Sequence, residues 1–277
     1  MENIWINGQQ GKLIDVSDRG LNYGDGLFLT MRVNEEGRIL FFNSHISRIE
    51  QAVIRLNIKN ETGFWQLPTS QKILLEIIAE ANPNRGIKLL ISRGSGGRGY
   101  SALNCTNITT VITTFDLPTN YQKLQNTGLN LTLSDIRLAQ QPKLSGMKHL
   151  NRLEQVLIKS QLLPNGFQDW LVTDTDNLII ESSMANLFFY IDDKWYTPLL
   201  CKSGVAGVMR ERVIYALLDL GFNVEISNVG IEALNKIEHI FMTNSLMGAV
   251  DVKQIDRHTY KAWDSTYMLN DLLGVQL

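Results

Sequence analysis

Several stretches of this 277-residue chain carry residues whose types and spacing could do chemistry. Lys148 lies in the run Ser145-Gly146-Met147-Lys148-His149-Leu150-Asn151-Arg152-Leu153-Glu154, after an irregular segment that holds Pro142. Leu150, Leu153 and Leu157 recur at helical spacing behind it, so the amine stands just ahead of an element that could fix it in place. Most lysines are solvated surface charges, and spacing alone does not separate the two cases. Gly204-Val205-Ala206-Gly207-Val208-Met209-Arg210 is a glycine-bearing turn that runs into a helical pattern. Backbone N–H groups at a helix start carry partial positive charge and can hold a phosphate without a charged side chain. Asn244 and Ser245 follow an apolar strand and could add polar groups to the same anion, or simply form a turn. Glu181 precedes Ser182-Ser183 and a hydrophobic strand, where an acid is either a site residue or an edge charge.

Gly94-Ser95-Gly96-Gly97-Arg98-Gly99 fits the dinucleotide pattern G-x-G-x-x-G and follows a strand. That pattern should open a helix, yet the following residues 100–107 are rich in turn formers and show no sustained helical stripe. It lacks the Gly-Lys-Ser/Thr ending of a P-loop as well. A flexible loop presenting Arg98 and Tyr100 is the better reading, because a guanidinium can donate two parallel hydrogen bonds to a carboxylate. An ordinary glycine-rich connection would look the same.

The elements that must position these residues can be taken in chain order. Ile4-Trp5-Ile6 before Asn7-Gly8 reads as a strand entering a tight turn. Residues 27–33 and 38–42 flank a second hairpin turn, and Ser44 is a plausible cap for a helix over 45–56. Arg48 lies off the apolar stripe of that helix, as a solvated arginine would. Ser70 could cap the next helix, whose buried side is expected to hold Ile73, Leu74, Ile77, Ile78 and Ala81 before Pro83 ends it. Strand composition marks 86–92, 109–115, 129–134, 170–173, 187–191, 222–226 and 239–243. Helical patterns over 207–218 and 260–273 complete the chain. Residues 118–123 are the expected linker between an N-terminal α+β domain, 1–117, and a C-terminal α+β domain, 124–277, that carries Lys148.

A 44% hydrophobic content, 19% charged residues and a formal net charge of −2 describe a globular chain without the basic surface of a nucleic-acid-binding domain. No apolar run is long enough for a membrane span, and the N-terminus lacks a signal-peptide layout, so a cytoplasmic location is expected. Cys105 and Cys201 are too few for a disulfide framework, and the histidines show no metal-ligand spacing. No metal is expected.

The chain resembles the fold-type IV family of pyridoxal-phosphate enzymes, which includes branched-chain and D-amino acid aminotransferases and aminodeoxychorismate lyases. The resemblance rests on Asp18-Arg19-Gly20 with Tyr23-Gly24-Asp25-Gly26, on 148–153, on Glu181-Ser182-Ser183-Met184-Ala185-Asn186-Leu187-Phe188, and on 204–210, in the family's order. It implies a two-domain α+β fold, pyridoxal 5'-phosphate as cofactor and a homodimer. By the same resemblance Lys148 joins the cofactor aldehyde as an imine and Glu181 pairs with the pyridine nitrogen. Arg48, the Gly207, Val208 and Met209 turn, Asn244 and Ser245 would hold the phosphate. Such a lysine needs a lowered pKa, and such a carboxylate would keep the ring protonated as an electron sink.

Within the family, residues 92–101 and 148–154 look most like the aminodeoxychorismate lyase branch. That implies conversion of 4-amino-4-deoxychorismate to 4-aminobenzoate and pyruvate, with Lys148 moving protons. Arg98 and Tyr100 are the first candidates for a substrate carboxylate, since the matching loop does this work in D-amino acid aminotransferases. Arg32, Arg137 and Arg152 are weaker candidates. Thr30 is expected to turn its hydroxyl into the pocket. Phe28 stands where D-amino acid aminotransferases carry a tyrosine, a departure that argues against transamination. The alternatives are an aminotransferase of the same fold, or a binding protein that keeps the fold without the reaction.

Overall fold

The structure is a computed structural model and describes residues 3–277. The chain folds into two compact units: residues up to Leu117 together with Met147–Asn151, and Pro118–Gly146 together with Arg152–Leu277. The segment that carries Lys148 therefore packs with the first unit, whereas the sequence suggested the second. The cause is a ladder to a strand more than a hundred residues earlier, which local periodicity does not reveal.

The first unit contains β1 (Ile4–Ile6), β2 (Gln9–Gln10), α1 (Arg19–Tyr23), β3 (Gly26–Arg32), α2 (Phe42–Arg55), the short pair β4 (Lys59–Asn60) and β5 (Gly63–Phe64), α3 (Thr69–Glu80), β6 (Arg85–Ser92) and β7 (Thr109–Asp116). One antiparallel sheet runs in the order β2-β1-β7-β6-β3. Alternation along β3 buries Leu27, Leu29 and Met31 on one face and leaves Phe28 and Thr30 half-buried on the other. On α2, Ile46, Ile49 and Val53 form the buried stripe. Fully burying a side chain such as Ile49 contributes roughly 1.5–3 kcal/mol.

Two expected caps lie inside their helices. The chain reaches α2 through a single bridge, Val33 to Ile39, and Phe41 in a left-handed conformation (φ 53°) starts the helix. Ser44 therefore falls in its first turn, and 38–42 is not a strand. Pro68, with its φ already near the helical value, takes the cap position of α3, so Ser70 lies inside it. Apolar residues surround α3, and packing selects Leu75, Ile78 and Ala79, leaving Ile73 and Ile77 exposed.

The second unit contains α4 (Tyr121–Thr127), β8 (Leu129–Leu133), α5 (Leu153–Ser160), β9 (Asp169–Thr173), β10 (Ile179–Ser182), β11 (Asn186–Ile191), β12 (Lys194–Pro198), α6 (Val208–Asp219), β13 (Val224–Ser227), a short 3-10 turn (Ile231–Asn235), β14 (His239–Asn244), β15 (Gly248–Ile255), β16 (His258–Thr259) and α7 (Thr266–Leu272). A nine-stranded sheet runs β10-β9-β8-β15-β14-β11-β12-β13, with β16 on β15. It mixes antiparallel pairs with parallel β8–β9, β8–β15 and β12–β13 pairs. Leu131, Leu171, Leu187, Phe189, Ile240 and Val250 lie in its main core. Part of the expected linker is the first turn of α4, and the closing helix is shorter than 260–273.

The helix after Lys148 differs most from expectation. α5 begins at Leu153, Leu150 belongs to the extended segment, and Ile158 is the buried residue of the helix. Leu153 and Leu157 are exposed. Among the described residues no helix is long and apolar enough to cross a membrane, and no cluster of His, Cys, Asp or Glu could hold a metal ion.

Candidate functional site

In the first unit, Lys148 sits on an extended segment paired with β3. Its carbonyl accepts the Phe28 N–H (2.9 Å), and the Leu150 N–H donates to the Gly26 carbonyl (3.0 Å). His149 bridges Leu27, and Asn151 Nδ2 donates to the Gly24 carbonyl (3.0 Å). Gly24 and Gly26 permit this approach: a Cβ at Gly26 would stand 2.2 Å from the Ile91 carbonyl oxygen and 2.8 Å from Leu150 Cδ1. The half-buried Lys148 points its Nζ at the Phe28 ring, 4.5 Å from the centroid. An ammonium against an aromatic face is held by the ring quadrupole.

Thr30 lies two residues along β3 on the face that carries Phe28. Directly opposite Thr30 in the ladder is Lys88, whose Nζ also approaches the Phe28 ring, at 5.1 Å. Sequence reasoning missed Lys88. Its signal was a lone cation in the apolar strand 86–92, on the alternate positions shared with Leu90. Arg48 is half-buried on α2.

Arg98 and Tyr100 are exposed on the glycine-rich loop, Tyr100 at 90%. The loop opens no helix, and Gly94, Gly96, Gly97 and Gly99 all have positive φ. The pattern therefore serves a tightly wound loop. It is not free-hanging: Arg19 donates to the carbonyls of Gly99, Tyr100 and Ser101, and Tyr100 packs edge-on against Tyr23.

In the second unit, Glu181 is buried on β10, beside a register shift in the β9–β10 ladder. Its Oε2 accepts the Val205 N–H at 3.0 Å. Asn186, at the start of β11, accepts the Gly207 N–H (3.2 Å) and donates to the Val205 carbonyl (2.8 Å). Gly146 pairs with the same turn from the other direction, donating to Gly204 and accepting from Ala206. Residues 204–207 are thus strung between an acid, an amide and a backbone ladder.

That turn delivers the start of α6. Gly207 is the N-cap residue and makes no side-chain cap bond, so the first-turn N–H groups at Val208 and Met209 lack intrahelical partners. Space is tight there, since a Cβ at Gly207 would meet Asn186 Oδ1 at 2.3 Å. Arg210 in the same turn is buried, donating to Thr197 Oγ1 (3.1 Å) and the Pro198 carbonyl (2.9 Å). Burial pulls its pKa down to about 10, so it is still charged at neutral pH.

Asn244 and Ser245 lie at the end of β14. Asn244 Oδ1 accepts the Leu246 and Met247 N–H groups, and its Nδ2 donates to the Met184 carbonyl (3.4 Å). The turn that follows Glu181 is closed by Ser182 Oγ, which accepts from Met184 and Ala185. Ser183 Oγ is hydrogen-bonded to the buried Asp169. Arg152 has its pKa lowered, first by burial, with the charges of Glu181 and Glu154 opposing the shift. A buried carboxyl that takes a backbone N–H can face a positive charge, and the helix start can receive an anion.

Comparison with known proteins gives these features a family. The model of the amino-transferase class IV family matches residues 26–255. The chain belongs to that family. It is 36% identical over 252 residues to an aminodeoxychorismate lyase of Vibrio harveyi, covering 91% of each chain. The crystal structure of a 4-amino-4-deoxychorismate lyase from Pseudomonas aeruginosa superposes with a TM-score of 0.90 at 31% identity, covering 98% of this chain and 97% of that one. A putative branched-chain-amino-acid aminotransferase of Methanocaldococcus jannaschii is more distant, 26% identical over 263 residues, with 91% and 88% covered.

Proposed function

We propose that this chain is an aminodeoxychorismate lyase, which converts 4-amino-4-deoxychorismate to 4-aminobenzoate and pyruvate in folate synthesis. The observation that carries this reading is likeness to a lyase at 36% identity over 91% of the chain, against 26% for the aminotransferase relative. Pyridoxal 5'-phosphate is the proposed cofactor, and the donor set fits it: a lysine on an aromatic ring, a buried acid and an uncapped helix start. When bound, this cofactor supplies an aldehyde for amines and a ring that draws electron density from them.

The chain's own residues do the rest. Lys148 would be the amine that holds the cofactor aldehyde; once the substrate's own amine has displaced it, the freed Nζ would take the proton from the amine-bearing ring carbon and return one to the departing three-carbon unit. Loss of that unit leaves the ring aromatic. Glu181, fixed by the Val205 N–H, holds a proton on the cofactor ring nitrogen. The N–H groups of Val208 and Met209, with Arg48, Asn244 and Ser245, receive the phosphate, and Gly207, whose own N–H donates to Asn186, shapes the turn before them.

The substrate carries two carboxylates. Arg98, with Tyr100 beside it, binds one, and Lys88 suits the other. Thr30 offers a hydroxyl from the Phe28 face. Phe28 itself has no hydroxyl to offer, and the Lys148 Nζ lies over its ring. The working form is a cytoplasmic homodimer. Exposed Leu153, Val156, Leu157 and Leu162 on and just after α5 support association, because apolar side chains grouped in this way usually mark an interface.

The test is product analysis. Purified, cofactor-loaded protein given 4-amino-4-deoxychorismate and no keto acid is expected to release 4-aminobenzoate and pyruvate in equal amounts. Turnover that appears only with a keto-acid acceptor would instead indicate an aminotransferase.

A further inference from the structure

Arg19 belongs to one of the segments that carry the family resemblance, yet no role in the reaction falls to it. Its side chain is 4% exposed. Nε donates to Asp25 Oδ2 (2.9 Å), and the same oxygen accepts from Arg93 Nε (2.8 Å). The remaining nitrogens point at the glycine-rich loop: Nη1 at the carbonyls of Gly99 (3.0 Å), Ser101 (3.2 Å) and Gly96 (3.5 Å), Nη2 at that of Tyr100 (3.1 Å). Its Cζ also lies 4.8 Å from the centroid of the Tyr23 ring, which packs edge-on against Tyr100.

These carbonyls bracket Arg98 in sequence on both sides. The root of the loop is fixed separately, with Ser92 Oγ donating to Asp18 Oδ2 (2.7 Å) and the Arg19 N–H donating to the Gly94 carbonyl (2.9 Å). Inward-facing carbonyls at 96 and 99–101 require a tightly wound backbone, which the positive φ of Gly97 and Gly99 provides. A lysine could not replace the fork, because a single ammonium has no planar array of donors to spread over several oxygens.

We propose that Arg19 is the positioning residue of the carboxylate-binding loop: its guanidinium, anchored on Asp25, gathers the loop carbonyls and so sets where Arg98 and Tyr100 meet the substrate. This rests on the reading of Arg98 as a carboxylate ligand. Arg19 itself touches no reacting atom. Its loss raises KM for the dicarboxylate substrate and spares the chemical step, the signature of lost uniform binding.

The experiment compares Arg19→Lys, Gly97→Ala, Arg98→Ala and the double variant Arg19→Lys/Arg98→Ala by steady-state kinetics and cofactor absorbance. Gly97→Ala disturbs the loop while keeping the Arg19 guanidinium in the protein, since its Cβ would stand 2.1 Å from the Ser101 carbonyl oxygen and 3.2 Å from Arg19 Nη1 and so presses on the contact between them. It carries the test if Arg19→Lys does not fold. Arg19→Lys and Gly97→Ala are each expected to raise KM about tenfold, the worth of one charge-assisted contact, with kcat and the cofactor spectrum near wild type. The double variant is expected to match Arg98→Ala alone.

An unchanged KM in Arg19→Lys and Gly97→Ala, with KM raised in Arg98→Ala, overturns the proposal and leaves the reading of Arg98 standing. An unchanged KM in Arg98→Ala removes that reading and the proposal with it. A fall in kcat and cofactor occupancy alongside the KM change would show general structural damage and would also overturn it.

Discussion

Lys148 hangs from a short ladder beside the edge strand β3, half-buried, with its Nζ against Phe28, whereas Glu181 is buried in a nine-stranded sheet and takes a backbone N–H. The neighbourhoods differ in the same way. Around Lys148, the ladder to β3 is joined by aromatic faces and by the shared carboxylate of Asp25 between Arg19 and Arg93. Around Glu181 it comes from amide and backbone hydrogen bonds through Asn186, Val205, Gly207 and Gly146. The group proposed to exchange bonds and protons stands beside a sheet edge. The group proposed to keep its charge in one place is buried in a sheet, where preorganised electrostatics would cost no rearrangement during reaction.

The sharpest way to break this contrast is at the amine. Lys148→Ala is expected to lower lyase turnover by at least roughly a thousandfold, measured as 4-aminobenzoate release, with little change in Tm because the side chain is only half-buried. Glu181 should behave differently. Glu181→Gln keeps an acceptor for the Val205 N–H, so turnover is expected to fall on the order of a hundredfold while cofactor retention and Tm stay near wild type. Glu181→Ala leaves that N–H unsatisfied and should cost about 1–3 kcal/mol of stability as well, read as a lower Tm than in the Gln variant.

A smaller effect is expected at the helix start. Gly207→Ala would drive a Cβ into Asn186 Oδ1, so cofactor affinity measured by fluorescence titration should weaken about tenfold, with kcat at saturation little affected. The smallest effect concerns the ion-paired side of the comparison. Burial would raise the pKa of Asp25, but hydrogen bonds and charge from Arg93 and Arg19 outweigh it and hold the group below its ordinary 3.8. A depressed folded-state pKa gives stability that is present above the unfolded value and lost as pH falls through the folded one. The Tm gap between wild type and Asp25→Asn is therefore expected to be widest near neutrality and to narrow below pH 3.8.

Much of the fold was legible because alternation and turn chemistry are local. The strands at 86–92, 109–115 and 239–243, the Asn7-Gly8 turn and the helix over 207–218 all follow from short-range pattern. The failures are failures of locality. Ser44 and Ser70 looked like caps, but Phe41 and Pro68 start those helices because of how the chain enters them. The leucines after Lys148 suggested a buried stripe, but pairing with β3 drew Leu150 into a ladder and left Leu153 exposed. Glu181 was visible only through family resemblance, since a four-residue strand before a serine turn has too little pattern to show that its acid is buried. What Arg19 and Lys88 do was not legible locally, because their partners lie about sixty to eighty residues away.

The central claim is that Lys148 is the amine that joins the cofactor. Reduction of the pyridoxal-phosphate-loaded protein with borohydride, followed by proteolysis and peptide mass mapping, tests it directly. The expected result is a phosphopyridoxyl mass on the peptide containing Lys148 and no labelling there in Lys148→Ala. A label on another lysine in the wild-type protein, with the Lys148 peptide unmodified, would contradict the account.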